Sequence, residues 1–127
     1  MSESKRQTLE QRRAQNAFDC SKGCNSKYKN LAKSLPALIM TSGLMPTLAF
    51  MESKGKDDHY LKLAKDLRLW LGQRFANAKT DMDYADLMKT LTAASPSDFQ
   101  SFTRETMLWL KWLRQMADAA NHDTEAQ

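Results

Sequence analysis

An all-α fold, one domain built as a single compact bundle of about six to seven helices, is predicted by three observations. The 127 residues contain no Val and only one Ile, Ile39, whereas Leu, Met, Ala, Lys and Gln are plentiful. These lose little rotamer freedom in a helix, and the aliphatic β-branched residues that favour strands are nearly missing. Only four Gly and three Pro are available for hairpins and phosphate-cradling loops. Third, apolar residues recur at three- and four-residue spacing in one segment after another.

The first helix is predicted from about Ser4 to Lys22, with Ala14, Ala17 and Phe18 on one side, Cys24 following at the same spacing, and Lys5/Arg12 and Arg6/Arg13 as seven-apart pairs elsewhere on it. Gly23–Ser26 should interrupt it. A second helical piece, about Ser26 to Leu35, turns Tyr28, Leu31, Ala32 and Leu35 inward and Lys27, Lys29 and Lys33 outward. Pro36 disfavours helix at Leu35 and then suits the first turn of a separate short helix to Ser42. Gly43 fits the left-handed position that ends it. Pro46 opens a helix from about Met45 to Lys54, which Gly55 closes. Leu35–Met51 is apolar enough to read as the buried centre. Asp57 or Asp58 caps the next helix, to about Asn77, with Tyr60, Leu63, Ala64, Leu67, Trp70, Leu71 and Phe75 inward. Thr80 with Asp83 resembles a capping box that starts a helix bearing Tyr84, Leu87, Met88 and Leu91. Ser95-Pro96-Ser97-Asp98 places a cap, a proline and an acid where a helix starts. That last helix runs to about Asn121, with Phe99, Phe102, Thr106, Trp109, Leu110, Leu113, Met116, Ala117 and Ala120 as its stripe. A polar tail follows from about His122.

Net charge is +4, and its distribution is uneven. Residues 1–33 carry eight Lys/Arg against three Asp/Glu, residues 34–99 eight of each, and residues 100–127 three against four. A basic segment on a helical protein favours an anionic partner, nucleic acid first, although ordinary solubility charge is the plain alternative. No apolar run reaches membrane-spanning length, and Met1 to Gln15 lacks the apolar core of a signal peptide. A cytoplasmic protein with reduced cysteines is expected.

The chemistry-bearing residues do not assemble into a catalytic motif. Cys20 and Cys24 would supply half of a zinc site, with no second Cys or His pair to complete it, and read better as small buried residues. His59 and His122 stand among acids near no nucleophile, and the isolated glycines form no Walker loop. No enzymatic activity, cofactor, metal or small-molecule substrate is expected. Two features remain outside the core. One is the set of basic ridges, including Arg104 and Lys111 seven apart, with Arg114 nearby. The other is Leu108 and Trp112, four apart and off the main stripe: either an exposed contact patch or a wider buried stripe.

Those residues carry a resemblance. Tyr28-Lys29-Asn30-Leu31-Ala32-Lys33-Ser34-Leu35-Pro36-Ala37-Leu38-Ile39, then Gly43-Leu44, then Thr47-Leu48-Ala49-Phe50-Met51, is similar in order to the small helical subunit of type III-B CRISPR effector (Cmr) complexes. Gln11-Arg12-Arg13-Ala14 resembles that family's first helix. Leu110-Lys111-Trp112-Leu113-Arg114-Gln115-Met116-Ala117 resembles its closing one. Thr47 departs from the usual small Ala, and residues 76–98 match weakly. The resemblance implies a non-catalytic antiviral-defence subunit, present in several copies along an RNA-guided filament. Its implied partners are a RAMP-type backbone subunit, further copies of itself, guide RNA and target RNA. Arg12, Arg13, Lys27, Lys29, Lys33, Arg104, Lys111 and Arg114 are then the candidates for sequence-independent phosphate contact, and Leu108 and Trp112 for a partner interface. Two rivals stand beside it. One is a pure protein–protein scaffold. The other is a stand-alone DNA-binding regulator, for which Leu35–Met51 offers almost no polar residue to read bases.

Overall fold

The computed structural model describes residues 7–75 and 81–121. Among them are six helices and no strand: α1 (Leu9–Ser21), α2 (Ser26–Ser42), α3 (Leu44–Ser53), α4 (Asp58–Arg74), α5 (Tyr84–Ala93) and α6 (Pro96–Ala120). The fold is the all-α bundle that composition and periodicity predict. The residues expected to open the first helix, Ser4 to Arg6, to end the fourth at Asn77, to cap the fifth at Thr80, and to form the tail from His122 lie outside the described residues.

Helix α1 begins later than the apolar spacing suggests because Thr8 closes a capping box. The Gln11 amide donates to Thr8 Oγ1 at 3.0 Å, and the Thr8 amide to Gln11 Oε1 at 2.8 Å. This satisfies two of the amides a helix start leaves orphaned. The two pieces expected on either side of Pro36 are one helix. The stripe Tyr28, Leu31, Ala32, Leu35, Ile39 keeps helical register across the proline, and every member is buried. Burying Leu35 and Ile39 on that shared face, at about 1.5–3 kcal/mol each, outweighs the roughly 3 kcal/mol that an interior proline costs. Gly43, at φ +94° and ψ 164°, ends α2 and caps α3 in a single residue, a conformation essentially restricted to glycine. Pro46 falls in the first turn of α3, as expected, and the helix starts one residue before the expected Met45. Gly55, expected to close α3, lies beyond its C-cap Lys54.

At the next starts, α5 has its capping box one cap later than predicted, between Asp83 and Asp86. Ser95 caps α6 as expected, its hydroxyl accepting from the Asp98 amide at 3.1 Å. Helix α6 is the spine. It packs along α1 and α2 and reaches α4, while α3 bridges α2, α4 and α5. Trp70, Trp109, Tyr28 and Phe102 fill the centre. Ala120, placed on the inward stripe by spacing, is exposed. Thr47, the departure noted above, is buried with its hydroxyl donating to the Gly43 carbonyl at 2.8 Å, so it brings no unsatisfied group inside.

Candidate nucleic-acid interface

The eight basic candidates do not share one surface. Arg104, Lys111 and Arg114 are exposed on α6, and among the described residues none has an ion-pair partner. Arg104 and Lys111 are two turns apart on the face opposite the buried stripe, about 10 Å along the axis. Leu108, 37% exposed, sits between them. Lys27 is exposed at the edge of α2, beside His59 of α4. Lys33 pairs with Asp118 of α6 at 3.4 Å. Arg12 is exposed in a cleft between α1 and α4.

Two candidates are interior, contrary to the exposure expected of them. Arg13 is 5% exposed and Lys29 1%. Arg13 lies on the Leu9–Ala17 line of α1, and that register carries it under α6. There its Nε donates to Glu105 Oε2 at 2.6 Å and its outer nitrogen to Glu105 Oε1 at 2.8 Å. Its remaining nitrogen donates to Glu10 at 2.6 Å. Lys29 borders Ala32 and reaches Asp118 at 3.8 Å. Both charges are committed inside the protein.

Glu105, which the sequence reading missed, is the hub of the interior. Its carboxylate also accepts from the Trp70 indole at 3.0 Å and from Arg74 Nε at 3.0 Å, which ties α1, α4 and α6 together. Burial alone would raise this carboxyl. The hydrogen bonds from Arg13, Trp70 and Arg74 outweigh it and hold the group below the ordinary carboxylate range. The same hydrogen bond, against desolvation, raises Arg13 above its usual value. The signal was available: Glu105 falls on the Phe102–Trp109 stripe, where an acid needs a partner.

A second knot surrounds Asp66. It accepts from the Tyr28 hydroxyl and from Lys62, each at 2.8 Å, and Lys62 also donates to the Cys20 carbonyl at 2.9 Å. Burial pushes the Cys20 thiol up to about 12, with Asp66 adding to it, and burial likewise raises Cys24 and the Tyr28 phenol. These groups are neutral structural members at physiological pH. Among the described residues no cluster of three or more His, Cys, Asp or Glu is placed to hold a metal. Trp112 is half-buried and its indole donates to Glu10 Oε2 at 2.7 Å, so it braces α6 against α1, while Leu108 beside it remains open.

The comparisons with known proteins agree with one another. The family model described as CRISPR-associated protein (Cas_Cmr5) matches residues 9–120. The CRISPR system Cmr subunit Cmr5 of Thermus thermophilus is 31% identical over 93 residues, covering 73% of this chain and 74% of that protein. An X-ray structure of a CRISPR-associated Cmr5 family protein, also from Thermus thermophilus, superposes with a TM-score of 0.74 at 28% identity. It covers 91% of this chain and 98% of that one.

Proposed function

The chain belongs to the Cas_Cmr5 family of CRISPR-associated proteins, and from that premise we propose that it is a non-catalytic small subunit of a cytoplasmic type III-B effector complex. It packs between a RAMP-type backbone subunit and further copies of itself. It helps hold guide and target RNA through phosphate charge without reading sequence. The observation that carries this reading is the exposed set Arg104, Lys111 and Arg114 on α6, without internal ion pairs among the described residues, on the helix that also forms the spine of the core. A rigid backbone beneath exposed, unpaired cations suits phosphate neutralisation.

Reversing these three residues to Glu should weaken target-RNA binding by the assembled complex about ten-fold or more and flatten its salt dependence. The thermal melt of the subunit should not change, because none of the three supports the core. Unchanged complex affinity would remove these residues from the interface. A second reading, pure scaffolding, draws on the exposure of Leu108 and Phe18, 37% and 46%. A scaffold's contribution would vary little with ionic strength.

A further inference from the structure

We propose that the cleft between α1 and α4 docks one unpaired nucleobase of single-stranded RNA; this rests on the nucleic-acid reading above and adds a contact that phosphate charge does not provide. Arg12, Gln15, Asn16 and Asp19 stand at i, i+3, i+4 and i+7, one face of α1, and Gln7 ahead of it with Trp70 and Gln73 of α4 complete the walls. Two amides there have hydrogen-bond partners that assign their ends, Asn16 from the core and Gln15 from its own helix. The buried Trp109 indole donates to Asn16 Oδ1 at 2.8 Å, and the Cys20 thiol donates to the same oxygen at 3.5 Å. An indole N–H can only donate, so the Asn16 oxygen faces inward and its amide nitrogen is left for the cleft. Gln15 is set the opposite way. Its nitrogen donates to Asp19 Oδ1 at 3.2 Å, which leaves its carbonyl oxygen as an acceptor.

A fixed donor beside a fixed acceptor matches the edge of a base. The third element is Arg12, whose guanidinium carbon lies 6.0 Å from the centre of the Trp70 ring. That puts a flat cation at the edge of the cleft beside Trp70, a group on which a base stacks, with the charge close to the flanking phosphate. Asp19, the one acid in the cleft, is engaged by Gln15 and by Lys22 at 3.4 Å. A lone phosphate, which only accepts, would use Arg12 and the Asn16 nitrogen and leave the Gln15 carbonyl idle, whereas an unpaired base uses all three.

The test is nuclear magnetic resonance of the full chain titrated with octamers of adenylate, uridylate or cytidylate RNA and, separately, with ribose 5-phosphate. At least one octamer should shift the side-chain amide signals of Asn16 and Gln73 and the Trp70 indole, and ribose 5-phosphate should shift them far less, at most at Asn16. Arg12→Lys keeps the charge and removes the plane. Asn16→Asp keeps the oxygen that Trp109 needs and turns the outward donor into an acceptor. Each should weaken the preferred octamer about five-fold or more. If α6 signals move while the cleft amides stay still with every octamer, or if ribose 5-phosphate moves them equally, the base site is wrong and the nucleic-acid reading survives. If no signal moves anywhere, both fall.

Discussion

Each oxygen of the Glu105 carboxylate is shared by two donors, so its loss strands more than one partner. Glu105→Gln leaves the Arg13 guanidinium buried against a neutral amide. Removing one member of a buried pair costs about 3–5 kcal/mol, and because Arg13 keeps Glu10 and Arg74 is partly solvated this falls to about 2–3 kcal/mol. The acid dependence has a definite sign. A carboxyl held below its ordinary value contributes fully above the normal carboxylate range, near about 4.3, and loses that contribution as pH falls through the lowered value. Urea midpoints of wild type and Glu105→Gln should therefore differ widely at neutral pH and converge under acid. A gap independent of pH would mean the charge is not what matters. Cys20 offers a second check at this scale. With its thiol pushed up to about 12, alkylation at pH 8 should run about a hundred-fold or more slower in the folded chain than in urea, read by mass spectrometry. At this scale charge misled the sequence reading. Arg13 and Lys29 were placed outside because cations prefer water, yet helical register carries both inward. An acid 92 positions away in sequence, Glu105, is what makes the burial of Arg13 tolerable, and no local pattern reveals that distance.

Helices were the most legible level, because period and capping chemistry are local. Ser95-Pro96 marks the start of α6 unambiguously, and Gly43 marks the α2–α3 corner for a stated backbone reason. Pro36 is where local reasoning failed, since the propensity of one residue was weighed without the burial of Leu35 and Ile39 that depends on the helix continuing. Both sites yield predictions. Pro36→Ala restores a backbone donor inside α2 and relieves ring crowding, worth up to about 3 kcal/mol, against about 0.4–1 kcal/mol lost because the unfolded chain becomes freer. The variant should be more stable by about 1–2 kcal/mol, seen as a higher urea midpoint at unchanged slope. Gly43→Ala should go the other way. A Cβ there meets only Pro46 Cδ at 3.6 Å, so space is available, and the cost is backbone strain of about 1–3 kcal/mol.

The sequence concentrates its basic excess in residues 1–33, and folding disperses it. Arg13 is absorbed by Glu105 and Glu10, Lys22 by Asp19, and Lys29 and Lys33 both approach Asp118. Exposed cations remain on separate elements: Arg12 beside α4, Lys27 near His59, and Arg104, Lys111 and Arg114 on α6. One strand crossing one copy can therefore meet about three of them, not eight. Each phosphate neutralised on a single strand contributes roughly 0.7 to the slope of log affinity against log salt, so three contacts give a slope near −2. Raising salt from about 50 to 200 mM should then weaken binding of single-stranded RNA to the isolated chain about sixteen-fold. Fluorescence anisotropy would measure it. A slope of about −5 or steeper would mean that cations on several elements reach the same strand. A slope near zero would assign α6 to protein contact. With only about three contacts per copy, tight holding of RNA has to come from repetition. Copies fixed side by side raise the effective concentration of each successive site, and affinity grows without any new contact within a subunit. That is why the same charge reversals should have a much larger effect in the assembled complex than in the isolated chain.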